Sequence, residues 1–377
     1  MKQYFFGPQQ EFPNPRKWEL VSKASHQCGI QVDILQPRDG PYLLKLTKAA
    51  QQTYRQLFSL TPNSYSSTML ANDKLNTYLI LQDAGFDVPP GFGYFKPDGL
   101  GFDFAATRGI KQAETEALCL GMDWKHGEAG AYLSLHALRS LTSQNHFPEI
   151  DTLRFRHPLI VKPNSGSGGQ GVRRVDFYDE LEDAVGAALR TPDSNMWLLQ
   201  RYLPGAEYRA IVLDAKVLIC YEKRRPYVVG DGHSEVAALL AAKNIQMSKA
   251  DPAIETVDLR SRDFEAILRR ENLQPWAVLE EGRRLTIDDR ANLERGGDVR
   301  LVDELHPEKE KSLIRIASSV GLRFAGIDFI CGQLAEPETE ISVLEVNANP
   351  GLWHFYKKGY EELAIAIYSA LLASIFD

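Results

Sequence analysis

Residues 159–171 read LIVKPNSGSGGQG, a short apolar run that ends at Lys162 and continues into four glycines within six positions. Such a loop lets backbone N–H groups converge on phosphate oxygens without interference from Cβ atoms. It is not a Walker A loop, because no Gly-Lys-Ser/Thr follows. A dinucleotide-binding turn needs a helix next, whereas residues 172–175 predict a strand. Two interpretations remain open: a mobile hairpin closing over a nucleotide triphosphate that Lys162 reaches, or a flexible surface hairpin.

A second pattern lies near the other end of the chain. Glu345 and Asn347 are two residues apart in a predicted strand, so they share a face. An antiparallel hairpin would bring Asp328, in the preceding predicted strand, alongside them. Two carboxylates and an amide oxygen are the hard ligands that Mg²⁺ prefers. The alternative is the solvated face of an edge strand, but the neighbours are apolar and buried acids need a partner or a metal. We therefore expect a metal site at Asp328, Glu345 and Asn347.

Around these motifs, short predicted strands alternate with helices. The helix candidates are a segment capped by Asp73 and ending at Gly85, residues 179–189, residues 309–320 and a terminal helix at 364–376. The strand candidates lie at 30–35, 159–161, 172–175, 197–199, 211–213, 217–221, 325–330 and 341–346. This mixture predicts an α+β nucleotide-binding architecture rather than a barrel or a sandwich.

Composition narrows the class of protein. The 377 residues carry a net charge of −7, which argues against a general nucleic-acid binder. The four cysteines form no CxxC pair, so neither a zinc site nor a disulfide framework is expected. No signal-peptide pattern opens the chain, and its longest apolar stretch is shorter than the roughly 20 residues that span a bilayer. We expect a soluble cytoplasmic protein that binds neither nucleic acid nor a membrane.

The order of the motifs resembles that of the ATP-grasp superfamily of carboxylate–amine ligases. The motifs are Asp73-Lys74 before AGFDVPP, then LIVKP with the glycine loop, QRYLPG at 200–205, GIDF at 326–329 and EVNANPG at 345–351. Three further stretches are similar to the ATP-grasp part of cyanophycin synthetases and related glutathione-synthetase-like enzymes: VVGDG at 228–232, NLERGG at 292–297 and GLRFAG at 321–326.

The resemblance implies a domain organisation. We expect an ATP-grasp fold, in which two α+β lobes grip ATP, over residues 71–377, preceded by a small N-terminal α/β lobe at 1–70. The segment at about 92–155 is longer than related ligases need and reads as an insertion. The glycine loop would belong to a mobile lid lobe at about 156–203.

The same resemblance assigns residues to a nucleotide site and to a reaction centre. ATP would be held by Lys74, Lys162, Ser165, Gly166, Ser167, Gly168, Gly169, Gln200, Arg201, Tyr202, Leu203 and Glu207. Lys74 and Lys162 would hold the α- and β-phosphates, residues 200–203 would contact adenine, and Glu207 would take the ribose hydroxyls. Mg²⁺, with Mn²⁺ as an alternative, would lie at Asp328, Glu345 and Asn347. Arg209, Arg224, Arg290 and Asn292 would stabilise the reacting groups, and His354 is a weaker candidate.

These assignments imply a ligase that forms an amide or peptide bond from small-molecule carboxylate and amine substrates such as amino acids or short peptides. An acyl phosphate would be the intermediate, with release of ADP and phosphate. The rivals are a kinase on the same fold and a non-catalytic nucleotide-binding regulatory subunit. Gln200 departs from the Glu of many members. No downstream Mur-ligase-like domain with a Gly-Lys-Ser/Thr loop is visible, so we expect a single coupling step. Whether the protein forms a homodimer stays open.

Overall fold

The computed structural model describes residues 15–35, 43–56, 59–95, 154–192, 194, 196–352, 355 and 358–377. Of the expected insertion at about 92–155, only the two ends belong to this described part. His354 lies outside it. None of the helices within the described ranges is long and apolar enough to cross a membrane.

Eight helices are described, several of them where the sequence predicts them. Asp73 caps the third helix by accepting a hydrogen bond from the backbone N–H of Asn76, as its position predicts. The helix at 181–189 buries Leu181, Ala184, Val185 and Ala188, the expected apolar face. The helices are α1 (Pro15–Gln27), α2 (Tyr65–Asn72), α3 (Lys74–Asp83), α4 (Leu181–Leu189), α5 (Val236–Ala250), α6 (Arg262–Arg270), α7 (Pro307–Ser319) and α8 (Glu361–Ser374).

Fourteen strands are described, and their antiparallel pairing with interspersed helices confirms the α+β class. The strands are β1 (Gln31–Leu35), β2 (Leu43–Lys48), β3 (Gln51–Gln56), β4 (Gly91–Phe95), β5 (Arg154–Pro163), β6 (Arg173–Phe177), β7 (Met196–Arg201), β8 (Glu207–Leu213), β9 (Lys216–Arg224), β10 (Tyr227–Val229), β11 (Arg284–Thr286), β12 (Asp298–Leu301), β13 (Phe324–Ile330) and β14 (Ser342–Asn347).

Two sheets position the functional residues. The large sheet has the order β12-β9-β8-β13-β14, and the small sheet has the order β4-β7-β5-β6. The chain passes from the small sheet to the large one between the end of β7 and the start of β8, through residues 202–206. One face of the large sheet packs on α3 and α7, where Tyr78, Leu313 and Ile327 join one core.

The described N-terminal elements share a core with the large sheet. Leu20 of α1 and Leu44 of β2 belong to the same buried cluster as Phe324 of the large sheet and Leu371 of α8. The segment between β9 and β12, in contrast, has a separate core, in which α5 and α6 pack on β10 and β11 around Phe264 and Leu285. This segment ends in the loop that carries Arg290 and Asn292, so its packing fixes one wall of the site described below.

Candidate functional site

A cavity of about 450 Å³ lies between the small sheet and the large sheet. We call it the central cavity. Nearly all residues that the sequence singles out line it. Those residues are Lys74, Lys162, Gly166, Ser167, Gly168, Gly169, Gln200, Arg201, Tyr202, Leu203, Glu207, Arg209, Arg290, Asn292, Asp328, Glu345 and Asn347.

The central cavity is positively charged although the whole chain is not. Eight Lys and Arg residues and five Asp and Glu residues line it, an excess of three positive charges in a chain of net charge −7. Arginine and lysine side chains converging in a cleft attract and bind polyanions. A polyphosphate is therefore a better chemical match for this cavity than a neutral or cationic ligand.

The acidic residues of the cavity sit on adjacent strands. Asp328 of β13 and Glu345 of β14 are direct partners in the antiparallel register, as the predicted hairpin requires. Asp328 accepts a hydrogen bond from Arg209 Nη2 at 2.6 Å and another from Lys223 Nζ at 3.1 Å. Glu345 Oε1 lies 2.9 Å from Lys74 Nζ. The two carboxylates are thus side by side, and each is paired with cations.

These cations keep both acids ionised. Burial raises the pKa of Asp328, but the charges of Arg209 and Lys223 outweigh it and hold that pKa at about 2. For Glu345, burial is likewise outweighed, mainly by Lys74, and the pKa falls below its ordinary value. Both groups are therefore carboxylates at neutral pH, which is the form that coordinates a divalent cation.

Lys162 is a buried cation of the central cavity that forms no ion pair with any acid among the described residues. Its side chain belongs to β5, and its Nζ donates to the Tyr78 hydroxyl at 2.7 Å and to the Leu344 carbonyl at 3.4 Å. No carboxylate lies within ion-pair distance of it in the described part of the chain. Burial lowers the pKa of Lys162 to about 8, although Glu345, Glu207 and Asp328 oppose that shift. A buried ammonium without a counter-ion calls for an anionic ligand.

The glycine loop is attached to the start of α3. The backbone N–H of Lys74 donates to the Asn164 carbonyl at 3.2 Å, and that of Leu75 donates to Asn164 Oδ1 at 2.8 Å. Asn292 closes the other side by donating to the Gly168 carbonyl at 2.7 Å. Gly169 has a φ of +71°, and a Cβ atom there would approach Arg290 Cδ to 3.2 Å, so glycine is favoured on both grounds. The loop therefore faces the cavity in a closed arrangement.

The connection at residues 200–203 forms the opposite end of the cavity. The backbone N–H of Arg201 donates to the Pro90 carbonyl and that of Tyr202 to the Pro158 carbonyl, each at 2.8 Å. Apolar side chains line the cavity here from both sheets: Ile160 from the small sheet, and Ile330 and Leu344 at the large sheet. An apolar slot with a polar backbone edge is suited to a flat heterocycle.

Two expected residues lie outside the cavity. Arg224 is the clearer correction: its side chain is 43% exposed and donates to Glu222 at 3.1 Å. The reason is the two-residue period of β9, because Lys223 pairs across the sheet with Glu207 and so shares the cavity face, whereas Arg224 does not. Ser165 does not line the cavity either, and its backbone N–H instead donates to Ser194 Oγ at 3.3 Å.

Three basic cavity residues were not among the predicted site residues: Lys223, Arg225 and Arg174. Lys223 pairs with Glu207 as well as with Asp328, so it connects these two acids of the cavity. Cross-strand pairing with Glu207 could have identified it. Arg174 lies opposite Ile160 in the pairing of β5 with β6, and its guanidinium carbon is 4.2 Å from the centre of the Tyr202 ring. Only the fold brings that contact together.

Arg290 lines the cavity, and its guanidinium is hydrogen-bonded to two carboxylates. It donates to Asp288 at 2.8 and 2.9 Å and to Asp263 at 2.9 Å. Burial lowers its pKa, but these carboxylates, Asp288 foremost, outweigh burial and raise it. The guanidinium is therefore permanently charged and fixed in position, as a group that neutralises transferred phosphate must be.

Asn347 has a buried side-chain nitrogen, Nδ2, with no hydrogen-bond partner among the described residues. Unsatisfied buried polar atoms are rare in folded proteins and often mark the place of a ligand. The described residues contain no cluster of three or more His, Cys, Asp or Glu that could hold a metal alone. Any ion bound next to Asn347 would need oxygen ligands from a bound molecule as well.

Comparison with known proteins finds a family that the C-terminal part resembles. Residues 280–371 match the RimK-like ATP-grasp domain. A protein named cyanophycin synthetase from a Synechocystis species is 26% identical over 327 residues, which cover 83% of this chain and 32% of that protein. A glutathione biosynthesis bifunctional protein, GshAB, from Streptococcus mutans is 26% identical over 232 residues, covering 58% of this chain and 30% of that relative.

A solved structure of a bifunctional glutathione synthetase from Pasteurella multocida aligns with a TM-score of 0.48 at 20% identity, covering 92% of this chain and 43% of that one. The chain spans no more than a third of the length of the two curated relatives. The matched family segment carries Arg290, Asn292, Asp328, Glu345 and Asn347. Over residues 280–371 the chain is thus similar to the RimK-like ATP-grasp family.

Proposed function

We propose that the protein is an ATP-dependent ligase that joins a carboxylate to an amine. The observation that carries this proposal is the combination, in one cavity, of the glycine loop, the unneutralised Lys162 and the ionised pair of Asp328 and Glu345. The family match and the names of the relatives, which are amide- and peptide-forming enzymes, support it. The relatives are about three times as long as the segment they share with this chain, so the proposal covers only the reaction of this chain and not the full activity of those relatives.

The adenine of ATP would occupy the apolar slot between Ile160 and Leu344. Because the Arg201 N–H is already bonded to Pro90, adenine would meet the Arg201 carbonyl and the Leu203 N–H. Glu207 would accept hydrogen bonds from the ribose, next to Lys223. The triphosphate would then extend past Lys162 and Lys74 toward the glycine loop, where backbone N–H groups converge.

Mg²⁺, or Mn²⁺, fits the acidic end of the cavity. The donor set is two ionised carboxylates and one amide, all oxygen-bearing and side by side on β13 and β14. The side-chain amide of Asn347 would also gain a partner on ligand binding: Nδ2 could donate to a phosphate, or the amide could flip so that its oxygen faces the ion. Asp328, Glu345 and Asn347 would hold the ion, which would supply charge neutralisation at the phosphates.

The remaining residues position and neutralise the reacting groups. The substrate carboxylate would attack the γ-phosphorus of ATP, which breaks the bond to the bridging oxygen, forms an acyl phosphate and releases ADP. The amine would then attack the acyl carbon, lose a proton and expel phosphate. Arg209 and Arg290 would neutralise the charge on the transferred group, and Asn292 would orient it. Little covalent chemistry falls to the protein, so positioning and charge set the rate.

The products of turnover test the proposal. Amino acids and short peptides are offered with ATP and Mg²⁺, and we expect ADP and phosphate to appear only with a productive acid and amine. Hydroxylamine should trap the acyl phosphate as a hydroxamate, and a Lys162→Met variant should release no ADP. AMP and pyrophosphate would indicate an adenylating enzyme. ADP release with a phosphorylated alcohol would indicate a kinase, and ATP binding without any turnover would indicate a regulatory subunit.

ATP affinity should fall as the pH rises through about 8. Lys162 is charged below its pKa of about 8 and neutral above it, and only the ammonium form pairs with a phosphate. Isothermal titration calorimetry at about pH 7 and about pH 9 measures the change. Buffers of different ionisation enthalpy should reveal proton uptake on binding near pH 8. A Lys162→Arg variant stays charged and should lose this dependence, whereas an unchanged affinity in the wild type would contradict the role of Lys162.

A further inference from the structure

Tyr78 lies behind the central cavity without lining it. It belongs to α3, and its side chain is 5% exposed. Its hydroxyl donates to the Leu344 carbonyl at 2.5 Å and accepts from Lys162 Nζ at 2.7 Å. One hydroxyl group therefore connects three elements: helix α3, strand β14 of the large sheet and strand β5 of the small sheet.

Among the described residues, this hydroxyl makes the shortest hydrogen bond to Lys162. The second acceptor, the Leu344 carbonyl, is 3.4 Å away, at the limit of a hydrogen bond. The ammonium is 5.2 Å from the centre of the Tyr78 ring and lies beyond its hydroxyl end, so the hydroxyl rather than the ring face holds it. A lysine side chain is flexible along four carbons. Without Tyr78, little in the described part of the chain would fix the position of the Lys162 ammonium.

The direction of the hydrogen bonds is also set. Burial raises the pKa of Tyr78 well above its ordinary value, so the hydroxyl keeps its proton. That proton goes to the Leu344 carbonyl, which leaves an oxygen lone pair for Lys162. Because Leu344 precedes Glu345 on β14, the ammonium is held at a fixed place relative to the strand that carries Glu345 and Asn347.

We propose that Tyr78 is a positioning residue, which holds Lys162 where it meets the phosphates of the bound nucleotide. This inference rests on the proposed function, because it concerns the nucleotide that the ligase would use. Tyr78 would touch neither ATP nor the substrates. It would instead act through Lys162, so its removal should weaken the binding of phosphates and leave the binding of the nucleoside unchanged.

The test is the Tyr78→Phe variant, which removes the hydroxyl and keeps the ring. Its affinities for ATP, ADP and adenosine are measured by calorimetry in the presence of Mg²⁺. We expect affinity for ATP and ADP to drop by about tenfold, the typical effect of losing a hydrogen bond to a charged group. Affinity for adenosine should not change. Tyr208→Phe is the matched control, because Tyr208 is a buried tyrosine of the same core whose ring stacks on Phe329, outside the cavity lining.

A double-mutant cycle separates positioning from a structural role. If Tyr78 acts through Lys162, Tyr78→Phe should have no further effect on ATP affinity in the Lys162→Met background. Equal losses for ATP and adenosine, or an undiminished effect in that background, would overturn the inference while leaving the nucleotide site in place. Wild-type protein that binds no ATP would overturn the proposed function itself and this inference with it.

Discussion

Turnover should fall by at least about a thousandfold, or about 4 kcal/mol in activation free energy, when Asp328 is replaced by Asn or Glu345 by Gln. The two acids are adjacent in the register of β13 and β14, and both stay ionised, Asp328 in a buried and Glu345 in a half-buried position. Each change removes one negative charge from the donor set proposed for the divalent cation. The amides keep nearly the same shape, so the loss comes from charge rather than from volume.

The fold should survive both substitutions. In Asp328→Asn the amide oxygen can still accept a hydrogen bond from Arg209, and the neighbouring strands keep their backbone pairing. Circular dichroism and thermal melting check the fold, and an ADP-release assay measures turnover. Asp214→Asn is the control, since Asp214 pairs with Arg323 at 2.7 Å and does not line the cavity. Near-normal turnover in both site variants, with the control unaffected, would contradict the metal assignment.

The alternation and hairpin patterns were sufficient to predict this acidic pair from the sequence. Glu345 and Asn347 share a face because a strand has a period of two, and the short connection to the preceding strand forces antiparallel pairing. The same local rules located the cap at Asp73 and the buried face of α4. Features of this kind depend on residues close together in the chain, so periodicity and spacing carry the information.

The residues and contacts that the sequence did not reveal depend on which face of a strand a residue occupies and on contacts between distant parts of the chain. Three consecutive basic residues at 223–225 do not by themselves show which of them face the cavity. The register of β9 with β8 places Lys223 there, and Arg225 lines the cavity as well, whereas Arg224 does not. Tyr78 lies 266 residues from its acceptor at Leu344, and no local pattern links them. The contribution of α1 to a core shared with α8 is invisible for the same reason.

A buried ion pair that links the small sheet to α6 is expected to contribute strongly to stability. Arg270 of α6 has an 8% exposed side chain and donates to Asp176 of β6 at 3.0 Å and to Asp289 at 2.8 Å. Burial lowers the pKa of Arg270, but the two acids, Asp289 first, outweigh it and raise that pKa. Asp176 is almost fully buried and also pairs with Arg174 at 2.8 Å, so removing Arg270 takes away one of the cations that neutralise a charge water cannot solvate.

Arg270→Met should therefore lower the free energy of unfolding by about 3 kcal/mol, the usual cost of breaking one side of a buried ion pair. Methionine keeps much of the apolar stem, so the change isolates the charge. Urea denaturation followed by circular dichroism measures the loss. Arg269→Met is the matched control on the same helix: Arg269 is 34% exposed, pairs with Asp179 at 2.7 Å and lies over the Phe177 ring. Its replacement should cost at most about 1.5 kcal/mol. Equal losses in the two variants would show that burial does not distinguish these pairs, and that the small sheet is held to α6 by surface contacts instead.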